Sequence, residues 1–212
     1  MSEMRRAAGA DGPPAGRPPL SERRKAATRR EIALEAVRLF ADKGLAATTG
    51  EEIARAAGIS PRTLWRYFAA KEQCAEPLLT AGLDAMARLL REWPADRPLL
   101  AAFDDVEWCA AFETEDTAIL RELVCLARSE PALRLVWFKV HQDAEEVFAE
   151  IIARRTGRSA DDLEPRTQAA MLNGALRIAA EEWARRPEES GEFPRSTVVR
   201  RTLRTAATGL SL

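Results

Sequence analysis

An all-α fold is predicted by three observations. From Ser21 to the C-terminus, apolar residues recur at intervals of three and four. No stretch shows the sustained apolar/polar alternation of a half-buried strand. Glycine, proline and Ser/Thr residues stand where helices of ordinary length start and stop. With 212 residues, 46% of them hydrophobic, the chain has material for a real core and fits one domain, or a small domain joined to a larger one.

Residues 1–20 hold Pro13, Pro14, Pro18 and Pro19 with Gly9, Gly12 and Gly16 and almost no large apolar side chain, so a disordered tail is predicted. The first helix is expected from Ser21 to Lys43, with Ile32, Ala33, Ala36, Val37 and Phe40 on one face and Gly44 ending it. Thr49 then caps a second helix, and Glu52 completes a capping box while Ile53, Ala54 and Ala57 face inward. Gly58 ends that helix in a left-handed turn, Ile59 packs into the corner, and Ser60-Pro61 starts a third. Further helices are expected over Lys71–Trp93, Leu99–Glu113, Thr117–Ser129, Ala132–Thr156, Pro165–Arg186 and Ser196–Leu210. The turn-forming run Pro187–Pro194 separates the last two.

Composition narrows the function classes. Cys74, Cys109 and Cys125 are odd in number and fall at no metal-ligand or redox spacing, and one His is present to join them, so neither a disulfide framework nor a metal site is expected. No apolar run approaches the roughly 18 residues of a membrane span, and no signal-peptide core opens the chain, which leads to a cytoplasmic expectation with no membrane partner. An enzyme would lack any visible constellation: there is no Gly-rich phosphate loop, Ser-His-Asp set or paired-Glu metal arrangement, and no cofactor is implied. The net charge of -1 hides an asymmetry. Residues 1–75 hold 14 Lys and Arg against 9 Asp and Glu (+5), and residues 76–212 hold 18 against 24 (-6). A basic front end suits a polyanion, although an ordinary mixture of solvated charges gives the same count.

The two short helices joined by Gly58-Ile59-Ser60 read as a helix-turn-helix. In the third helix Leu64 and Phe68 can face the core, leaving Pro61, Arg62, Thr63, Trp65, Arg66 and Tyr67 on the outside or edges. Such a face suits a DNA major groove, where helix N-terminal side chains reach base edges and others meet phosphates. The alternative at this point is a structural corner with Trp65 or Tyr67 packed against neighbouring helices.

The stretch Ala33–Gln73, ALEAVRLFADKGLAATTGEEIARAAGISPRTLWRYFAAKEQ, resembles the N-terminal DNA-binding domain of the TetR family of bacterial transcriptional regulators. The match joins Phe40 and Gly44, Thr48-Thr49, Ile53-Ala54, Ala57-Gly58, Ile59-Ser60, Thr63-Leu64, an aromatic at 65, Phe68 and Lys71-Glu72. It implies a helix-turn-helix DNA-binding domain over 21–70 and a helical ligand-binding and dimerisation domain over 71–212. It also implies that Thr49 holds a phosphate, that Ser60, Arg62 and Thr63 face the groove, and that Lys71 is aimed at the DNA backbone. Trp65 departs from the family, where Tyr is usual and donates a hydroxyl to phosphate; an indole offers one N–H and a larger apolar face. Tyr67 stands where the family often has His. Arg66 can reach a base or a phosphate. The run Arg23, Arg24, Lys25, Arg29 and Arg30 adds phosphate or minor-groove contacts or is simply a solvated helix start.

For the C-terminal half the resemblance implies a small-molecule effector in a helical cavity and a homodimer built from the last two helices. Candidate pocket residues are Trp108, Phe112, Leu123, Leu126, Trp137, His141, Phe148 and Trp183, each of which reads equally as plain core. Candidate dimer residues are Leu172, Leu176, Trp183, Val199, Leu203 and Leu210. The segment Arg121–Phe138 is similar to one in a subgroup of actinobacterial regulators, some of which respond to acyl-CoA or other lipophilic compounds. The expected protein is a homodimeric repressor that binds a palindromic double-stranded DNA operator and is released by a lipophilic ligand. A thiol-redox regulator using Cys109 or Cys125, and a helical adaptor without DNA affinity, are the competing readings.

Overall fold

In the computed structural model the described residues are 20–98, 101–102, 117–186 and 195–208, and among them every regular element is helical. The expected tail up to residue 19, the Leu99–Glu113 helix apart from Ala101 and Ala102, Trp108, Cys109, Phe112 and Leu210 lie outside the described residues, and Leu20, expected in the tail, already belongs to the first helix. In chain order the elements are α1 (Leu20–Lys43), α2 (Gly50–Ala56), α3 (Pro61–Tyr67), a 3-10 turn (Glu72–Ala75), α4 (Glu76–Glu92), α5 (Thr117–Ser129), α6 (Pro131–Thr156), α7 (Leu163–Arg185) and α8 (Arg195–Ala207). No helix among the described residues is long and apolar enough to cross a membrane.

The expected stripes become the packed faces. Ile32, Ala33, Ala36, Val37 and Phe40 of α1 close over Ile53 and Ala54 of α2 and Leu64 of α3 in a small three-helix core. The opposite flank of α1 leans on the 3-10 turn, α4 and α5, so the small unit sits on the larger one through one long helix. In the larger unit α6 runs between α4, α5 and α7, and α7 in turn carries α8. Trp137, Val140, His141, Ala144 and Phe148 mark the inward stripe of α6; Leu172, Leu176, Ala179 and Trp183 mark that of α7.

Helix ends follow proline. An α-helix begun at Lys71, as the sequence pattern suggested, would place Pro77 in its second turn, where the missing N–H breaks a backbone bond and the ring strikes the preceding carbonyl. The chain instead forms the 3-10 turn and starts α4 at Glu76, with Pro77 in the first turn where no N–H is needed. The same logic starts α6 at Pro131. At the other end of α4, Arg155 of α6 donates to the carbonyls of Trp93 (2.8 Å), Pro94 (3.0 Å) and Arg97 (2.8 Å), which caps the exit of α4 and ties it to α6.

Candidate nucleic-acid interface and core cavity

The corner between α2 and α3 is built by local hydrogen bonds that the sequence spells out. Thr49 is the N-cap of α2: its Oγ1 accepts from the Glu52 N–H (3.3 Å), and Glu52 Oε2 accepts from the Thr49 N–H (2.9 Å). The second Glu52 oxygen pairs with Lys43 at 2.5 Å. The Lys43 ammonium, followed by the Thr49 N–H and hydroxyl, holds the Glu52 carboxyl down to about 2. Gly58, at φ +66°, lets the Ile59 N–H reach back to the Ala54 carbonyl (2.9 Å) and its own N–H reach Arg55 (3.2 Å), the paired closure of a Schellman end. Ser60 then caps α3, accepting from the Thr63 N–H at 3.1 Å.

This geometry presents Thr49, Ser60, Pro61, Arg62, Trp65 and Arg66 to solvent on one side of the corner, with Thr63 and Tyr67 half-buried at its edge and Leu64 and Phe68 beneath. The Arg66 guanidinium lies 5.5 Å from the Tyr67 ring. Trp65 is 43% exposed, and its indole rests on Gly50, where a Cβ would overlap the ring. Gly50 escaped the sequence reading. The available signal was a poor helix former placed directly after a strong N-cap, a choice that makes sense only if something lies against it.

Two basic residues turn out to be struts. The Lys71 ammonium donates to the carbonyls of Leu45 (2.7 Å) and Thr48 (2.8 Å), so two of its three hydrogens hold the α1–α2 loop. That loop is locked a second time by buried Thr48, which donates to the carbonyls of Gly44 and Leu39. The backbone-directed role that the family resemblance implies for Lys71 is thus joined to, and limited by, a structural one. Arg29 is the second strut. It donates to the Tyr67 carbonyl (2.9 Å), lies 4.5 Å from the Phe68 ring centre and approaches Glu76 at 3.7 Å. Arg23, Arg24, Lys25 and Arg30 stay on the exposed surface of α1.

A second feature lies inside the larger unit, where α4, α5, α6, α7 and α8 converge on a cavity of about 40 Å³. Trp137, His141 and Trp183 line it as expected, together with Leu78, Leu79, Gly82, Leu83 and Met86 of α4. Leu123, Leu126 and Phe148 do not: Leu123 and Phe148 are fully buried in helix packing, and Leu126 is half-buried against the core. The space is far below the roughly 300–1,000 Å³ of a small-molecule site, so an effector would have to part the helices around it.

His141 is buried, at 4% exposed. Its Nδ1 lies 2.7 Å from Asn173 Oδ1, while Asn173 Nδ2 donates to the His141 carbonyl (3.0 Å) and to Glu145 Oε1 (2.9 Å). With both amide hydrogens directed at acceptors, the Asn173 oxygen faces the ring and Nδ1 carries the proton. Burial, opposed by the Asn173 bond, lowers the imidazole below its usual range. Asn173 was also missed; the signal was a polar residue beside Leu172 and in the same stripe as Leu176 and Ala179. As for the thiols, burial pushes Cys74 up to about 12 and keeps it unreactive, and Cys125 is exposed with its Sγ 3.4 Å from the Ala184 carbonyl.

Comparison with known proteins agrees with this architecture. Residues 28–78 match the family described as bacterial regulatory proteins, tetR family, and residues 99–211, a little over half of the chain, match the MftR C-terminal domain. The chain belongs to the TetR family of transcriptional regulators, which are DNA-binding and non-enzymatic. It is 33% identical over 174 residues to the HTH-type transcriptional regulator TcmR of Streptomyces glaucescens, covering 78% of this chain and 77% of that one. MftR of Mycobacterium tuberculosis is 31% identical over 172 residues, 77% and 83% of the two chains. Over 59 residues, 27% of this chain and 29% of the other, it is 46% identical to the HTH-type transcriptional repressor KstR2 of Mycolicibacterium smegmatis. Among solved structures, NalD, the secondary repressor of the MexAB-OprM multidrug efflux pump in Pseudomonas aeruginosa, shares the fold with a TM-score of 0.53 at 22% identity, covering 87% and 97% of the two chains.

Two outcomes are expected from these sites. Lys71→Met, which strands two loop carbonyls, lowers unfolding free energy by about 2–3 kcal/mol in urea titration, whereas Arg62→Ala, on the open face, changes it by less than about 0.5 kcal/mol. If Lys71→Met were neutral, Lys71 would be no strut. Because the folded state favours neutral His141, its contribution is complete above the unfolded value near 6.5 and is lost as pH falls below it. The ring is also faced by Arg177, Glu181 and Glu145, of which Arg177 works with burial and the two carboxylates against it. Stability measured from pH 7.5 to 5.5 should therefore decline more steeply in the parent than in His141→Gln, by at most about 1.4 kcal/mol per pH unit. Equal slopes would show that His141 takes up its proton freely.

Proposed function

We propose that the protein is a cytoplasmic, ligand-responsive repressor that binds a palindromic operator as a homodimer and leaves it when a small lipophilic effector enters the core cavity. The observation that carries this reading is the course of α4. Its first residue, Glu76, is drawn toward Arg29, which also holds the carbonyl at the end of α3, and its next three turns line the cavity through Leu78, Leu79, Gly82, Leu83 and Met86. An occupant that widens the cavity pushes on α4 among the lining helices, and a shift of α4 reaches the end of α3 through the Glu76–Arg29 pair. Two recognition helices must stand about 34–36 Å apart to enter successive major grooves of one duplex, so a small displacement changes the fit. A ligand favouring the misfitted spacing shifts the population with a coupling of about 1–3 kcal/mol.

In this reading Arg62 and Arg66 supply base or phosphate contacts, Thr49 and Ser60 contact phosphates, and Pro61, Thr63, Trp65 and Tyr67 shape the groove face. The repressor assignment follows the names borne by KstR2 and NalD, and the lipophilic effector follows the apolar lining of the cavity.

We place the dimer contact beside the residues first expected. Leu172, Leu176, Trp183, Val199 and Leu203 are mostly buried within the protomer and offer a partner little surface of their own. On α7 the exposed large hydrophobics beyond its first residue, Leu163, are Met171 and Ile178, 48% and 47% exposed, with Gly174 between them on the same face. A rotation of about 100° per residue separates the two faces, which is why a stripe read from spacing picked the inner one.

Selection of bound sequences from random duplex DNA is expected to enrich an inverted repeat whose affinity falls steeply with salt, and Arg62→Ala and Arg66→Ala are each expected to weaken binding about tenfold with a shallower salt slope. Absence of any enriched sequence would overturn the operator reading. Ile178→Glu should yield a folded monomer by light scattering; a dimer of unchanged affinity would move the interface elsewhere.

A further inference from the structure

Two residues lining the cavity carry polar atoms whose hydrogen-bonding capacity no described residue meets. Trp137 Nε1 and His141 Nε2 are both buried and without a hydrogen-bond partner, in side chains that are 5% and 4% exposed and that both line the space. Buried polar groups are nearly always paired, and leaving one unpaired costs about 1–3 kcal/mol, so two such atoms in neighbouring residues need a reason. The rings touch edge to face, with centroids 4.4 Å apart and planes at 70°. Their roles are complementary. The indole Nε1–H only donates. Asn173, by fixing the proton on Nδ1, leaves Nε2 on the opposite side of the ring as a bare acceptor. One donor and one acceptor, on rings in contact, therefore belong to a lining whose other described members, Arg195 apart, are mostly apolar.

From this pairing we infer that the effector is an uncharged molecule with a hydroxyl group on an apolar frame, the hydroxyl hydrogen donated to His141 Nε2 and its oxygen accepting from Trp137 Nε1–H. The inference rests on the reading of the cavity as the effector site. A carboxylate has no hydrogen to offer, so it would set its lone pairs against that of Nε2. A cation fares no better, because the described lining carries Arg195 and no Asp or Glu. An ether or hydrocarbon would leave one or both atoms unpaired, and sites built to bond a hydroxyl reject analogues that lack it. Widening of the cavity falls to flexible apolar side chains, Met86 and Leu83 on α4, so the same event that seats the hydroxyl displaces the helix leading to α3.

The test uses the full-length protein at pH 7.5 and two probe sets of increasing size: phenol, anisole and benzoate, then 2-naphthol, 2-methoxynaphthalene and 2-naphthoate. Calorimetry should show the hydroxyl compound of at least one set binding ten times or more tighter than its ether and its acid. The indole ¹⁵N–H resonance that Trp137→Phe removes should move downfield with the hydroxyl compound and not with the ether. Trp137→Phe, which keeps an aromatic ring while removing the donor with one ring of the indole, and His141→Phe should each shrink that preference about tenfold; the first serves if the second fails to fold. Binding of hydroxyl and ether with equal affinity, or a preference unchanged in Trp137→Phe, would overturn the hydroxyl assignment and leave the cavity as an effector site. Failure of all six probes to bind would overturn the cavity reading itself, and this inference with it.

Discussion

Arg29 is the joint on which the arrangement turns. One guanidinium from α1 binds the last carbonyl of α3, lies over the Phe68 ring and faces Glu76 at the first residue of α4. The ion pair is the weakest part of this joint. At 3.7 Å and partly exposed, it belongs to the class worth about 0–1 kcal/mol, whereas a charged donor on a backbone carbonyl contributes about 1.5–3 kcal/mol. The strong bond therefore fixes the recognition helix to α1, and the weak one leads to α4. In the function proposed above that order matters: the helix-turn-helix corner stays rigid while its link to the larger unit remains adjustable.

Rigidity of the corner comes from sources of very different range. The capping box, the left-handed Gly58 and the Ser60 cap are bonds between residues at most five apart, which a short peptide stretch encodes. Lys71 and Thr48 act over longer separations, converging on the loop between α1 and α2 and setting where α2 begins. Trp65 joins the two scales, its indole spanning from α3 to the first residue of α2 while keeping nearly half its surface open. An aromatic in that place both props the corner and widens the apolar part of the face it presents.

The larger unit follows a different principle. Its helices bury mostly Leu, Ala, Val and Trp, and among the described residues a small polar cluster, His141 with Asn173 and Glu145, links α6 to α7. Satisfied on one side of the imidazole and open on the other, that cluster directs a single lone pair toward the cavity side of the core. Low local polarity raises what such a pair can discriminate.

Local rules were sufficient to read the helical class, most helix ends at proline and glycine though not the start of α4 that Pro77 sets, the two-helix corner and the identity of its outward residues. Each depends on neighbours in sequence: caps within four residues, stripes within two turns. The family resemblance over Ala33–Gln73 is legible for the same reason, since the corner is itself a local device. Only the tertiary structure decided that Lys71 and Arg29 brace the fold, because their partners Leu45, Thr48 and Tyr67 lie 23 to 38 positions away. It likewise turned Leu172 and Leu176 inward and left Met171 and Ile178 outside, a choice made by which helices happen to cover α7. The tautomer of His141 was decided by Asn173, 32 residues on. Spacing along a chain fixes which side chains share a helix face; what that face meets depends on how distant segments pack, and packing is where the chemistry of this protein resides.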